Sequence, residues 1–314
     1  MFRRTLVLSA MALSLAAAPA IAEPAKVMIP GGAGGGWDGT GRLAFEVMQK
    51  AGIFTEGATI TNKGGAAGTL GLADFMRTKG QDSSVMVMGV IMVGGIIANK
   101  SPVNLDTVTP LARLTFEWNA IAVPADSPIK NAKDFMEALK KDPGAMSVAG
   151  GSAGGVDHAT LALLAKIAGV PADKLNYVPF NSGAEVVTSV AGGKVKAAIS
   201  GISELKPQVD TKRIRFVAVT SEKGSDGTPS LKEQGIDLSI GNWRGIVGAP
   251  EMSAAGRKAW LDRLEKMSKT KEWKEGLEKA GLEDAILLGD AYGAFLNEEK
   301  ARWATVLKEV GIAK

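Results

Sequence analysis

Four glycine-rich segments, each set between a β-rich run and a helical run, constrain this chain more than any other feature. They are Gly31–Gly36, Gly64–Gly68, Gly150–Gly155 and Asn181-Ser182-Gly183, and they hold many of the 39 glycines. The first follows a strand at Lys26–Pro30 and opens a helix over Asp38–Ala51. The second follows Ala58–Asn62 and leads into a helix that ends near Lys79; Ser84–Val90 is a third strand. The third follows Met146–Ala149 and opens Asp157–Ala168, and the fourth follows Tyr177–Pro179 and opens Ala184–Ala191. Strand, glycine turn and helix repeated in this way predict an α/β fold with mainly parallel sheets. Because the unit occurs twice in each half of the chain, two similar lobes are expected.

Further strands are read at Asn119–Val123, Val195–Ser200 and Arg215–Val219, with a helix at Ala132–Lys140. Ile240–Val247 reads as a strand returning to the first lobe. The tail alternates amphipathic helices at Ala254–Lys269, Lys271–Ala280 and Asp290–Val310. Trp260, Trp273, Phe295 and Trp303 sit on them at helical spacing, which is the spacing of core packing.

The N-terminus carries an export signal. Arg3 and Arg4 precede an apolar run from Thr5 to Ala18, then Pro19-Ala20-Ile21-Ala22. A short basic region, an apolar stretch too short for a bilayer span of about 20 residues, and small residues before the cut make a secretory signal peptide. Cleavage after Ala22 leaves Glu23 first and removes two bases and no acid, so 35 bases face 33 acids, a net +2. That balance, with no aromatic interleaving of the bases, gives nucleic-acid binding no support. Cysteine is absent, so neither disulfides nor thiolate metal sites are expected. About 290 mature residues exceed one hydrophobic core. The division expected is residues 1–22 as signal peptide, 23–120 with 228–314 as lobe 1, and 121–227 as lobe 2.

In open α/β sheets ligands bind at the C-terminal ends of strands, where all four glycine segments fall. Helix N-termini there present unpaired N–H groups and partial positive charge, which suit an anion. Each hydrogen bond to a charged group contributes about 1.5–3 kcal/mol, so several converging amides hold a carboxylate without a salt bridge. Two other motifs are weaker. Gly34, Gly36 and Gly39 fit the dinucleotide fingerprint, but the second strand ends in Thr61-Asn62-Lys63 and not in the acid a ribose needs. Gly150, Ser152 and Gly154 fit a nucleophile elbow. The one histidine, His158, stands six residues on in the helix the elbow would open, where it cannot act as base for Ser152. No cluster has metal-ligand spacing, and no cofactor is implied.

The run Pro30-Gly31-Gly32-Ala33-Gly34-Gly35-Gly36-Trp37-Asp38, with Arg42 after it, resembles the first ligand loop of the tripartite tricarboxylate transporter substrate-binding proteins, a group within the Bug receptor family. Asn62-Lys63-Gly64-Gly65-Ala66-Ala67-Gly68-Thr69 is similar to their second loop, Gly150–Gly155 with Asp157-His158 to the third, and Asn242-Trp243-Arg244-Gly245 to the returning segment. The resemblance implies a two-lobed periplasmic-binding-protein fold of the Venus-flytrap kind, type II-like, with the ligand cleft between the lobes. It also implies a periplasmic receptor that takes a citrate-like tri- or dicarboxylate to a membrane permease of one large and one small transmembrane subunit, without catalysis; a monomer is the default expectation.

Carried over, the first-lobe ligand contacts are Gly32, Ala33, Gly34, Gly35, Gly36 and Asp38, with Gly65, Ala66, Ala67, Gly68 and Thr69. The second-lobe contacts are Ser152, His158, Asn181, Ser182, Gly183 and Gly201. Lys63 stands where the family has an apolar residue or proline, and Asn181-Ser182 replaces a more glycine-rich turn. Two alternatives stay open: the same fold binding an amino acid or aromatic carboxylate, and an exported serine hydrolase using Ser152.

Overall fold

A computed structural model describes residues 23–225 and 227–313; the signal peptide read at residues 1–22 lies outside them. The chain begins β1 (Ala25–Ile29), α1 (Gly36–Lys50), β2 (Ala58–Asn62), α2 (Thr69–Phe75), β3 (Ser84–Gly89) and α3 (Val90–Ala98). It continues β4 (Thr109–Pro124), α4 (Ala132–Lys141), β5 (Val148–Gly150), α5 (Val156–Ala168), β6 (Tyr177–Pro179), α6 (Gly183–Ala191), β7 (Ala197–Gly201) and α7 (Ile202–Asp210). Then follow β8 (Ile214–Val219), β9 (Gly241–Gly248), α8 (Ala254–Ser268), α9 (Lys271–Ala280), β10 (Glu283–Leu288) and α10 (Gly289–Glu309).

One strand joins two lobes. The strand order is β2-β1-β3-β9-β4-β7-β5-β6, with β8 and β10 also paired to β4. The first part of β4, Thr109 to Trp118, pairs with β9, and the part from Asn119 onward pairs with β7 and β8. β1, β2 and β3 are parallel, as are β5, β6 and β7, but β9 and β4 run antiparallel to their neighbours. The sheets are therefore mixed at the junction rather than mainly parallel throughout.

Local sequence explains the elements. β3 and β7 are buried along their whole length, as continuous apolar runs covered on both faces must be. In α4, Asn131 accepts the Asp134 amide as N-cap, and Ala132, Phe135, Met136 and Leu139 form the buried stripe. In the second half of β4, Ile121 and Val123 enter one core and Ala120 and Ala122 the other, the two-residue alternation of a strand. The first lobe's core gathers Trp243, Trp260, Trp273 and Trp303, all nearly or fully buried, so the tail aromatics are packing residues. The segment between β8 and β9 sets Leu231 and Ile236 in the second lobe's core.

Four readings were incomplete. α3 has the sequence VIMVGGIIA, an unbroken apolar run whose periodicity cannot separate helix from strand. α7 contains Pro207, which reads as a helix breaker. The first half of β4 and all of β10 escaped because their partners lie far along the chain.

Candidate functional site

Two loops of the first lobe meet over the end of β1. In the β1–α1 loop, Asp38 accepts hydrogen bonds from the Gly34 amide, Arg42 Nε and Asn62 Nδ2, each at 2.9 Å. Asn62 Nδ2 also donates to the Gly31 carbonyl at 3.1 Å, tying the second loop to the first. Burial raises the Asp38 pKa, but the bonds from Arg42, Gly34 and Asn62 outweigh it and hold the carboxyl below its ordinary range. Asp38 is thus a buried brace for the loops.

The β2–α2 loop holds four consecutive residues at positive φ: Gly65 (125°), Ala66 (46°), Ala67 (56°) and Gly68 (87°). Left-handed backbone costs a non-glycine residue about 1–2 kcal/mol, and strain of this kind collects at functional sites. A side chain on Gly68 would lie 2.8 Å from the Trp37 ring and 2.9 Å from Met92. Lys63 pairs with Asp74 at the surface.

The second lobe contributes the β5–α5 and β6–α6 loops. Asp157 is buried and accepts from the Gly151 amide at 2.7 Å and from Asn119 Nδ2 at 2.5 Å. Burial, with the nearby Glu204 and Glu117 adding to it, pushes its pKa up to about 7. His158 stacks on Tyr177 with 4.3 Å between ring centroids, and its Nδ1 accepts the Gly154 amide at 3.2 Å. Burial lowers the His158 pKa to about 4, so at neutral pH it is an uncharged acceptor at Nδ1. Ser182 and Glu185 form a capping box on α6: Ser182 Oγ accepts the Glu185 amide, and the Glu185 carboxylate accepts the Asn181 and Ser182 amides.

Between the lobes lies a cavity whose enclosed space and open mouth together measure about 650 Å³. Gly32, Gly35, Gly36, Gly65 and Gly68 reach it from the first lobe, and Ser152, Asn181, Ser182, Gly183 and Gly201 from the second. Ala66 and Ala67 line an adjoining opening with Ser152 and Asn181. Ala33, Gly34, Asp38, Thr69 and His158 do not line the cavity. Gly34 faces a groove on the far side of its loop, and Thr69 Oγ1 is bonded to the Ala66 carbonyl.

Sequence reasoning missed the charged part of the wall. Arg244 on β9 and Glu117 on β4 form an ion pair, both at most 3 % exposed. Ser203 of α7 donates its amide (3.0 Å) and its hydroxyl to the other Glu117 oxygen. Glu204 faces the cavity beside them, accepts Ser200 Oγ at 2.7 Å, and has the Gly36 amide directed at it from the opposite lobe. Burial and then the charge of Glu117 raise the Glu204 pKa. Side chains on Gly36, Gly201 and Gly183 would overlap Arg244, Glu117 and Glu204 respectively. Three glycines read as ligand contacts are therefore also the space the charge cluster occupies. Trp37 and Asn242, 8 % and 4 % exposed, line the same cavity, and their Nε1 and Oδ1 atoms are buried without a hydrogen-bond partner. The arginine inside strand β9 was the available signal, since a charge in a central strand needs a buried partner.

Helix capping is mixed at the cleft: α6 opens there with its Ser182 cap, and α10 lacks a side-chain cap. α4, α8 and α9, away from it, are capped by Asn131, Ser253 and Thr270 side chains. α1, α5 and α7 start at Gly35, Gly155 and Gly201 with no side-chain cap, which leaves their N-terminal amides for other partners. No described helix is long and apolar enough to cross a membrane.

Comparison with known proteins gives one consistent picture. Residues 43–312 match the family model described as tripartite tricarboxylate transporter family receptor. The UPF0065 protein in the gbd 5′ region of Cupriavidus necator is 27 % identical over 320 residues, covering 96 % of this chain and 94 % of that one. The structure of the periplasmic binding protein BugD superposes with a TM-score of 0.84 at 22 % identity, covering 94 % of this chain and 99 % of BugD. MatC from Rhodopseudomonas palustris with bound malate gives 0.81 at 19 % identity, over 91 % and 99 % of the two chains.

Proposed function

This chain belongs to the tripartite tricarboxylate transporter family of receptors, and from that membership we propose that it is a periplasmic receptor for a small carboxylate. It binds and does not catalyse: the family is one of receptors. In this reading residues 1–22 direct export and are removed, lobe 1 comprises 23–120 with 241–314, and lobe 2 comprises 121–240, the boundary expected at 228 moving to the start of β9 because Leu231 and Ile236 pack in the second lobe's core. The monomer closes on its ligand by a hinge movement and delivers it to a permease of one large and one small membrane subunit.

The observation that carries the proposal is the cavity itself. Glycine loops from both lobes converge on it, helices with uncapped N-termini open at it, and the buried Trp37 Nε1–H in its wall has no protein acceptor. Amides facing one space, with an unpartnered indole N–H buried in the wall, suit a carboxylate oxygen. Among the described residues the one arginine lining the cavity is already paired with Glu117, so recognition of that carboxylate rests on neutral donors. The tri- or dicarboxylate class is the first to test, and MatC carries a C4 example.

The test is a thermal-shift screen of the mature protein against citrate, tricarballylate, malate, succinate, terephthalate, nicotinate and glutamate. Saturation at 100 times the dissociation constant stabilises by about 2.7 kcal/mol, a visible rise in melting temperature. A rise with one carboxylate class supports the receptor reading; no rise with any of them overturns it.

A further inference from the structure

The cavity is asymmetric in charge, and that asymmetry bears on what the ligand carries beyond its carboxylate. Arg244 is the only base lining it among the described residues, while Glu204 and Asp157 line it as acids. Arg244 is already matched by the buried Glu117. The two cavity-facing carboxylates accept hydrogen bonds from Ser200 and Gly36 at Glu204 and from Asn119 and Gly151 at Asp157, and they share with Glu117 the single charge of Arg244, so three acids face one base. Asn242 Oδ1 on the same wall is a buried acceptor without a donor. A carboxylate has about four lone-pair sites and these two use only part of them. Acceptors therefore outnumber donors on this wall, and what would satisfy them is a group rich in N–H.

We infer that this wall is a subsite for a positively charged nitrogen, and that the ligand is a zwitterion whose carboxylate meets the first-lobe loops while its ammonium group lies among Glu204, Asp157 and Asn242. The inference rests on the receptor reading and deepens it. Coulomb's law favours it: like charges a few ångströms apart repel by several kcal/mol at the effective dielectric of a protein site, and opposite charges attract by as much. A second ligand carboxylate would enter beside two acids, whereas an ammonium group would supply the missing cation. Burial first, and the neighbouring acids after it, raise both Asp157 and Glu204, with Arg244 offsetting only part of the rise at Glu204. The other titratable groups packed on the pair are Glu117, Arg244 and Tyr177, with the neutral His158 stacked on Tyr177. An incoming ammonium lowers the Asp157 pKa from about 7, so its binding releases protons near neutral pH.

Isothermal titration calorimetry with two matched pairs tests this: succinate against 4-aminobutanoate, where an ammonium replaces one carboxylate, and succinate against L-aspartate, where it is added. Citrate is included, and each titration is repeated in buffers of different ionisation enthalpy. The expected result is at least tenfold tighter binding of an ammonium-bearing member, with protons released. Glu204→Gln should remove at least tenfold of that preference while leaving the affinity for succinate equal or improved. Asp157→Asn serves as the second variant if the first does not fold. Succinate or citrate binding as tightly as the amines, with affinity rising as pH falls, would overturn the inference by assigning the two acids to protonated donors, and the receptor reading would survive. No binding by any of these acids would sink both.

Discussion

The two walls of the cleft are built from different materials. On the first-lobe side, Gly31–Gly36 and Gly64–Gly68 present backbone, shaped by a run of positive φ and braced from behind by Asp38, Asn62 and Arg42. On the second-lobe side the cavity meets side chains: Ser152, Asp157, Asn181, Ser182, Ser200 and Glu204. Backbone amides recognise a carboxylate whatever is attached to it. Side chains differ in charge and reach, so the second wall is where one relative can differ from another without disturbing the first. The junction beneath both, Arg244 with Glu117, touches Ser203 of α7 and so couples the sheet of one lobe to a helix of the other.

Breaking that junction should have the largest effect. Arg244→Met leaves Glu117 buried without its partner, and removal of one member of a buried pair costs about 3–5 kcal/mol. Urea unfolding should show a midpoint lowered accordingly; a loss under about 1 kcal/mol would mean that the pair does not hold the lobes in register.

Next comes the first wall. Gly68→Val demands left-handed backbone of a β-branched residue and overlaps Trp37 and Met92, about 2–5 kcal/mol together. Carboxylates of every kind should bind at least tenfold more weakly, as read by calorimetry. If only some ligands weaken, the first wall is not generic and the contrast fails.

A third test separates neighbours on the second wall. Asp157, raised from 3.8 to about 7, binds more protons folded than unfolded across that interval, so its contribution to stability is present below pH 3.8 and is lost as pH rises through 7. His158, lowered from 6.5 to about 4, does the reverse: its contribution grows as pH rises from 4 to 6.5. Each slope is on the order of 1 kcal/mol per pH unit, and between pH 4 and 6.5 they offset. Asp157→Asn should therefore gain stability with rising pH relative to the parent, and His158→Phe should lose it. Melting temperatures across pH 4–7 that move together in both variants would contradict the assignment.

The smallest effect is at the cap. Ser182→Ala removes the α6 capping box and should cost about 1 kcal/mol, with less than threefold change in affinity for a carboxylate held by the first wall.

What the sequence revealed follows the range of the forces involved. Strand-to-helix units show in local composition, so all four glycine loops and α9, at Lys271–Ala280, were legible. Ten of the residues carried over by resemblance line the cavity, because a glycine after a strand marks a place as well as a shape. The charge cluster was not legible. Glu117 and Glu204 lie 87 positions apart, and each reads singly as a solvated acid; only the crossing of β4 between the lobes brings them under one roof with Arg244. His158, whose helix position fits a ligand contact, stands outside the cavity lining with its ring held by Tyr177 and the Gly154 amide, a placement only the fold sets.

The most direct test of the division between walls is a crystal structure with a bound carboxylate from the thermal-shift screen. The expected result is one ligand carboxylate within hydrogen-bonding distance of the Gly64–Gly68 backbone or Trp37 Nε1, with the remainder of the molecule against Asp157, Glu204 and Asn242. A carboxylate seated instead on Arg244, with Glu117 displaced from it, would contradict it.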